Sequence, residues 1–372
     1  MSWWLDGRSL YDFHYHATHF GFTYPPFAAL VLSPFGALPV VGAIALITTL
    51  SVGAILFTTY EVVAPVTRRH GRPVLFSVAL AVLLFSAMEP VRETLSYGQI
   101  NLVLAALVLA DVVALRRGWR WAGVGIGLAT AVKLTPGLFV VYLLLTRRRG
   151  PAAVAAGTFV GTGLLAMAAA PGESLRYWGA ELWQTSRVGT PTDTENQSLL
   201  GLLARLAHPA QPSTALWLLL GAAVLVVGLR RAVQAAAAGD ELAGITITGL
   251  TSCLLSPISW THHIYWVVPA VVVLLDVAAG TPSEGRWNGR RATAAAAAAA
   301  VYVVFAVSLI WAFGPTPRDG TVPGLAGALG ASADVFVLLA LLVALPVRRL
   351  TPAAPSATRT TAPPRPAGSS PR

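Results

Sequence analysis

The stretch "GVGIGLATAVKLTPGLFVVYLLLTRRR", residues 123–149, is apolar nearly throughout, but Lys133 and Pro136 interrupt it and three arginines close it. About 20 apolar residues cross the hydrocarbon core of a bilayer. Proline removes a backbone donor and clashes with the preceding turn, so the helix should break near residue 136. The pair 119–134 and 136–146 therefore reads as a broken helix or re-entrant hairpin, whose freed backbone groups must face protein or a wet cavity. Lys133 is the only lysine in the chain.

Further apolar runs lie at 39–64, 74–90, 99–115, 151–170, 213–229, 242–256, 264–280, 292–313 and 331–347. The 372 residues are 55% hydrophobic and 11% charged, against about 25% charged in soluble domains, and mean hydropathy is +0.66. The expected fold is an all-α polytopic membrane protein, a bundle of about 10–11 transmembrane or re-entrant helices. The single cysteine, Cys253, excludes an internal disulfide and a cysteine metal cage.

A net charge of +10 could suggest nucleic acid, but the placement of the charges excludes it. Arginines cluster at 68, 69 and 72, at 116, 117 and 120, at 147–149, at 230 and 231, at 286, 290 and 291, and at 348 and 349. Each cluster flanks an apolar run, the pattern of a topology signal. With all of them cytoplasmic, one threading places 1–24, 89–98, 171–198, 256–263 and 314–322 outside. That threading puts 24 residues outside with no apolar segment before them, so a membrane span is expected upstream of Met1. The domain reading is an external N-terminal loop 1–24, a membrane domain 25–350 with an external loop 171–198, and a disordered cytoplasmic tail 351–372 rich in Pro, Ala, Thr and Ser.

The candidate chemistry gathers in the external stretches. "MEPVRETLSYGQINL", 88–102, carries Glu89, Arg92, Glu93, Gln99 and Asn101, either bridging and capping at an interface or lining a cavity. "SPISWTHHIYW", 256–266, carries His262 and His263, which serve either as buried structural imidazoles or as weak bases and donors near neutral pH. Adjacent helical residues point about 100° apart, so only one should face a shared cavity. Asp193, Glu195, Asn196 and Gln197 precede an apolar run, where they cap a helix or line a site. Tyr24, before Pro25 and Pro26, sets a helix entry or borders the cavity. Lys133 either snorkels to the interface or meets an anion such as a lipid phosphate. His14, His16 and His19 have only Asp12 as a close acid and read as a solvated loop rather than a metal site; no metal or cofactor is expected.

The runs "FTYPPFAALVLSPFGALP" (22–39), "SYGQINLVLAALVLAD" (96–111), "GVGIGLATAVKLTPGLFVVYLLL" (123–145), "NQSLLGLLAR" (196–205) and "SPISWTHHIYWVVPA" (256–270) together resemble glycosyltransferase family 87. The resemblance runs from about residue 5 to residue 280, and the order of the blocks carries it more than any one block. It implies a GT-C-like bundle in an actinobacterial plasma membrane, with a multi-pass chain and an active site facing outside. It implies an inverting transfer of mannose from polyprenyl-phosphate-mannose to a glycolipid or glycan hydroxyl. The family's usual acid follows a first membrane helix upstream of the "LYD" segment, and this sequence starts at "MSWWLDGRSLYD". With that acid lying upstream of Met1, the bases available in this chain would be Asp6 or Asp12, with His263 beside them. Lys133, then Arg92 and His262, would bind the donor phosphate. Tyr24, Glu89, Gln99, Asn101, Asp193, Glu195, Asn196 and Gln197 would line the substrates. A proton-coupled secondary transporter is the rival reading, since broken helices and intramembrane charge also suit carriers; the gathering of polar residues at one face favours the enzyme.

Overall fold

The computed structural model describes residues 1–15, 21–184, 187–280, 287–313 and 324–350; the proposed tail lies outside them, as do His16 and His19. The helices in chain order begin with α1 (Ser2–Leu5), α2 (Pro26–Gly36), α3 (Val40–Arg69), α4 (Val74–Ala87), α5 (Glu89–Ser96) and α6 (Asn101–Arg116). They continue with α7 (Val124–Val132), α8 (Gly137–Leu145), α9 (Arg149–Ala169), α10 (Pro171–Gly179) and α11 (Leu199–Ala207). The last are α12 (Thr214–Ala237), α13 (Glu241–Leu255), α14 (Val267–Ala279), α15 (Gly289–Ala306), α16 (Gly324–Gly330) and α17 (Ala333–Ala344). Among the described residues there is no strand, only an isolated bridge between His14 and Gly21.

The chain is an all-α polytopic membrane protein, but its apolar runs are not all membrane-length helices. α3, α9 and α12 are each long and apolar enough to cross alone, and two bent pairs, α4 with α5 at 73° and α16 with α17 at 53°, could each make one more span. α13 and α14 are only 15 and 13 residues long and buried on nearly every side. A helix that is apolar all round belongs in a core, and α3, α8, α12, α15 and α17 sheathe this pair from lipid. Small residues let the core helices approach closely. Gly249 of α13 lies against the Trp266 ring, and Gly228 of α12 against Thr251, leaving no room for a Cβ at either.

The arginine clusters converge on one end. Arg348, buried, donates to Asp240 through Nε at 2.7 Å and to Asp276 through Nη1 at 2.7 Å. Asp276 also accepts from Arg69 at 2.5 Å and meets His70 Nε2 at 2.9 Å. Next along the chain, Glu241 accepts from Arg148 at 2.6 Å and from Tyr142 at 2.8 Å. α13 starts at this end, and its 15 residues carry residue 256 about 22 Å away. Residues 256–266 then turn back into α14.

The break in residues 133–136 is present. α7 ends at Val132, Lys133 is extended (φ −149°, ψ 126°), and α8 starts after Pro136. The N-terminal stretch is a packed wall rather than a free loop. Leu10 N–H donates to Glu173 at 2.9 Å, and Tyr11 stacks on Tyr177 of α10 with centroids 5.7 Å apart.

Candidate active site

At the end remote from the arginines lies a cavity of about 1060 Å³. Six parts of the chain wall it: the N-terminal stretch, Tyr97 and Gln99 between α5 and α6, residues 133–135 of the break, the connection 177–195, the turn 256–263 and Trp311. Lys133 stands on this wall with His262, His263, Glu195 and Asp193.

The break is what brings Lys133 there. Its extended backbone ends α7 and sends the side chain across to the histidine turn. Nζ lies 2.7 Å from His263 Nε2 and donates to Asn101 Oδ1 at 3.0 Å; the Tyr24 ring sits 5.7 Å from Nζ. Tyr24 in turn donates to Gln99 at 3.0 Å. Behind the lysine a recess of about 40 Å³ holds Asn101, Ser259 and Tyr265, room for a water or two.

The histidines occupy one 3-10 turn, Thr261–His263, opened by His263 N–H donating to Trp260 O at 2.8 Å. α5 braces it: Glu93 accepts from Thr261 Oγ1, and Tyr97 meets His262 edge-on at 5.6 Å. The two imidazoles are perpendicular with centroids 4.7 Å apart. Both line the cavity, which corrects the helix-based expectation that only one would. They sit on a single tight turn at the cavity wall, not on the flank of an α-helix. Burial holds His262 down to about 3 and lowers His263 well below the usual histidine range, so both rings are neutral at physiological pH.

Glu195 is the carboxylate the geometry favours. It is half-buried on the cavity wall, and burial, followed by the charges of Glu93 and Asp193, pushes it up to about 7. Its loop is held by Arg205, a buried side chain donating to the Asp193 and Asn196 carbonyls at 2.8 and 2.9 Å and to Ser332 Oγ at 2.8 Å. Arg205 was legible as a charge in an apolar block, the signature of a built-in role, but the sequence reading gave it none.

Other expected site residues go elsewhere. Asp6 is an exposed residue ending α1, and Asp12 pairs with Arg176 at 2.7 Å; neither lines the cavity. Arg92 donates to Ala87 O at 2.9 Å and to Ser308 Oγ at 2.5 Å, which turns it from the cavity. Glu89 is buried behind the wall, accepting from Trp311 Nε1 at 2.7 Å. Asn196 and Gln197 are fully buried ties. Asn196 accepts from Ser259 N–H at 2.9 Å, and Gln197 donates to the Thr194 and Ala331 carbonyls at 2.6 and 2.7 Å. The helix cap expected of this group is supplied by Ser198, which accepts from Gly201 N–H at 3.0 Å. Among the described residues no cluster of His, Cys, Asp or Glu could hold a metal ion.

Residues 22–257 match the model of glycosyltransferase family 87. The chain belongs to that family. It is 35% identical over 289 residues to the polyprenol-phosphate-mannose-dependent alpha-(1-2)-phosphatidylinositol mannoside mannosyltransferase of Mycobacterium tuberculosis, covering 73% of this chain and 67% of that one. The Mycolicibacterium smegmatis protein of the same description is 35% identical over 295 residues, covering 73% and 66%. A pentamannoside mannosyltransferase of that species is 36% identical over 282 residues, covering 73% and 66%. The chain thus spans about two thirds of the length of these relatives. No solved structure matches. The family segment contains Lys133, Asn101 and Glu195 but ends before the paired histidines.

Proposed function

We propose that this protein is a membrane mannosyltransferase that moves mannose from a polyprenyl-phosphate donor to a hydroxyl of a phosphatidylinositol mannoside or related glycan. The work is done at the outer face of the plasma membrane, the side away from the arginine clusters. One observation carries the reading: the sole lysine, two neutral imidazoles and a raised carboxylate share one cavity at that end.

In the reaction the acceptor oxygen attacks C1 of the mannosyl unit, and the bond from C1 to the phosphate oxygen breaks with its electron pair going to phosphate. A β-linked donor then gives an α product. Polyprenyl phosphate leaves readily, so the demand on the protein is positive charge and hydrogen-bond donors at the phosphate. Lys133 supplies these, with His262 and His263 beside it. The acceptor proton needs a base within hydrogen-bond reach, and Glu195 takes that role in place of Asp6 or Asp12. Tyr24, Gln99 and Asp193 hold sugar hydroxyls. The test is an assay of washed membranes with labelled polyprenyl-phosphate-mannose and phosphatidylinositol mannosides. Label should pass to the glycolipid with wild type and not with Lys133→Met; equal transfer by both would defeat the proposal.

A further inference from the structure

The hydrogen bonds around His263 fix where protons sit on its ring and, through it, on Lys133. Trp260 backbone N–H donates to His263 Nδ1 at 3.2 Å. A backbone amide only donates, so Nδ1 carries a lone pair. A neutral imidazole has one N–H, which must then be on Nε2. Nε2–H faces Lys133 Nζ at 2.7 Å. An ammonium has three donors and no acceptor, so Nζ can complete this contact only as an amine, accepting from Nε2–H and donating to Asn101 Oδ1. The reverse assignment, with an ammonium donating to Nε2, would put a proton on Nδ1 against the Trp260 N–H.

The surroundings agree. Among the described residues no carboxylate forms an ion pair with Lys133. On its own side the titratable groups facing it are Tyr24, Cys253, His262, His263 and Tyr265. Elsewhere on the cavity wall stand Glu195 and Asp193, the Glu181–Arg187 pair, and the phenols of Tyr11, Tyr15, Tyr177 and, against His262, Tyr97.

We infer that His263 holds Lys133 as a neutral amine in the ligand-free protein, and that the lysine takes up one proton from solvent when a phosphodiester anion enters the cavity. The amine and a solvent proton become an ammonium, its charge matched by the phosphodiester. Nζ leaves Nε2 for the phosphate, and the ring keeps its bond to Trp260. His263 is thus a positioning residue, acting through the lysine. The second half of the inference rests on the donor-site reading proposed above; the first does not.

Because the chain has one lysine, its protonation can be read directly by competitive acetylation. Solubilised protein is pulsed with acetic anhydride alongside Nα-acetyl-lysine amide, and the peptide carrying residue 133 is quantified by mass spectrometry. Between pH 7 and 9 the standard, an ordinary lysine amine near 10.4, gains about a hundredfold in rate. Lys133 is expected to stay flat, and a rise in parallel with the standard overturns the inference. In His263→Ala the parallel rise should return; a flat profile there removes His263 from the argument. Calorimetry with a short-chain prenyl-phosphate-mannose diester, at pH 8 in two buffers of different ionisation heat, should show about one proton taken up per ligand. Lys133→Arg should bind with none. Buffer-independent heat with wild type overturns the coupling. Absence of diester binding at every pH sinks the donor-site reading and the coupling with it, while the acetylation profile still decides the state of the lysine.

Discussion

Replacing Lys133 with Met keeps the unbranched chain and removes only the nitrogen. At the donor phosphate this deletes an ion pair worth about 4 kcal/mol at 4 Å, taking an effective dielectric of about 20 for a half-buried site. Loss of a single oxyanion donor in other enzymes lowers the rate about 10²–10³-fold, and the two figures agree. The fold should tolerate the change. Among the described residues Nζ bonds only Asn101 and His263, and both partners border space that water can fill, which limits the stability loss to about 1 kcal/mol. The expected result is kcat/KM for mannosyl transfer down about 10²–10³-fold with the melting temperature in detergent nearly unchanged. Transfer within about threefold of wild type, from protein melting normally, would show that no phosphate charge develops beside this lysine.

Glu195 acts only when ionised. Because its carboxyl titrates near 7, the wild-type rate should fall about tenfold per unit as pH drops below that value and level off above it. Glu195→Gln should lose about 10²–10⁴-fold and with it the acid limb; an unchanged limb would assign that titration to another group. Asp12→Asn breaks an exposed ion pair with Arg176 and should leave the rate within about twofold, separating it from Glu195 in the same assay. Arg348→Met strands the fully buried Asp240 and should cost about 3–5 kcal/mol, read as a lower melting temperature with KM unchanged in what remains folded. Gly249→Ala drives a methyl into the Trp266 ring and should cost about 1–3 kcal/mol, measured the same way.

The helix break at Lys133 could be read locally, because proline's effect on a helix needs no tertiary context. The arginine clusters likewise announced the end at which Arg69, Arg148 and Arg348 meet Asp276, Glu241 and Asp240, although not these pairings. The carboxylate could not be read that way. Asp12, Glu89 and Glu195 look alike in the chain. What separates them is an ion pair to Arg176, a seat behind Trp311 and an open wall, each set by contacts with distant residues. Asn196 and Gln197 were misleading for the same reason. Amides in a polar loop suit a sugar, yet their partners are Ser259 and Ala331, far along the chain. That α13 and α14 are core helices enclosed by protein was not legible, because composition reports burial without saying whether lipid or protein provides it.

The clamp on the Glu195 loop reaches Ser332, 75 positions beyond where the family segment stops, whereas the lysine break lies well inside that segment. Both sides of the active site nonetheless lean across that boundary, the Glu195 loop through Arg205 on Ser332 and Lys133 through its contact with His263.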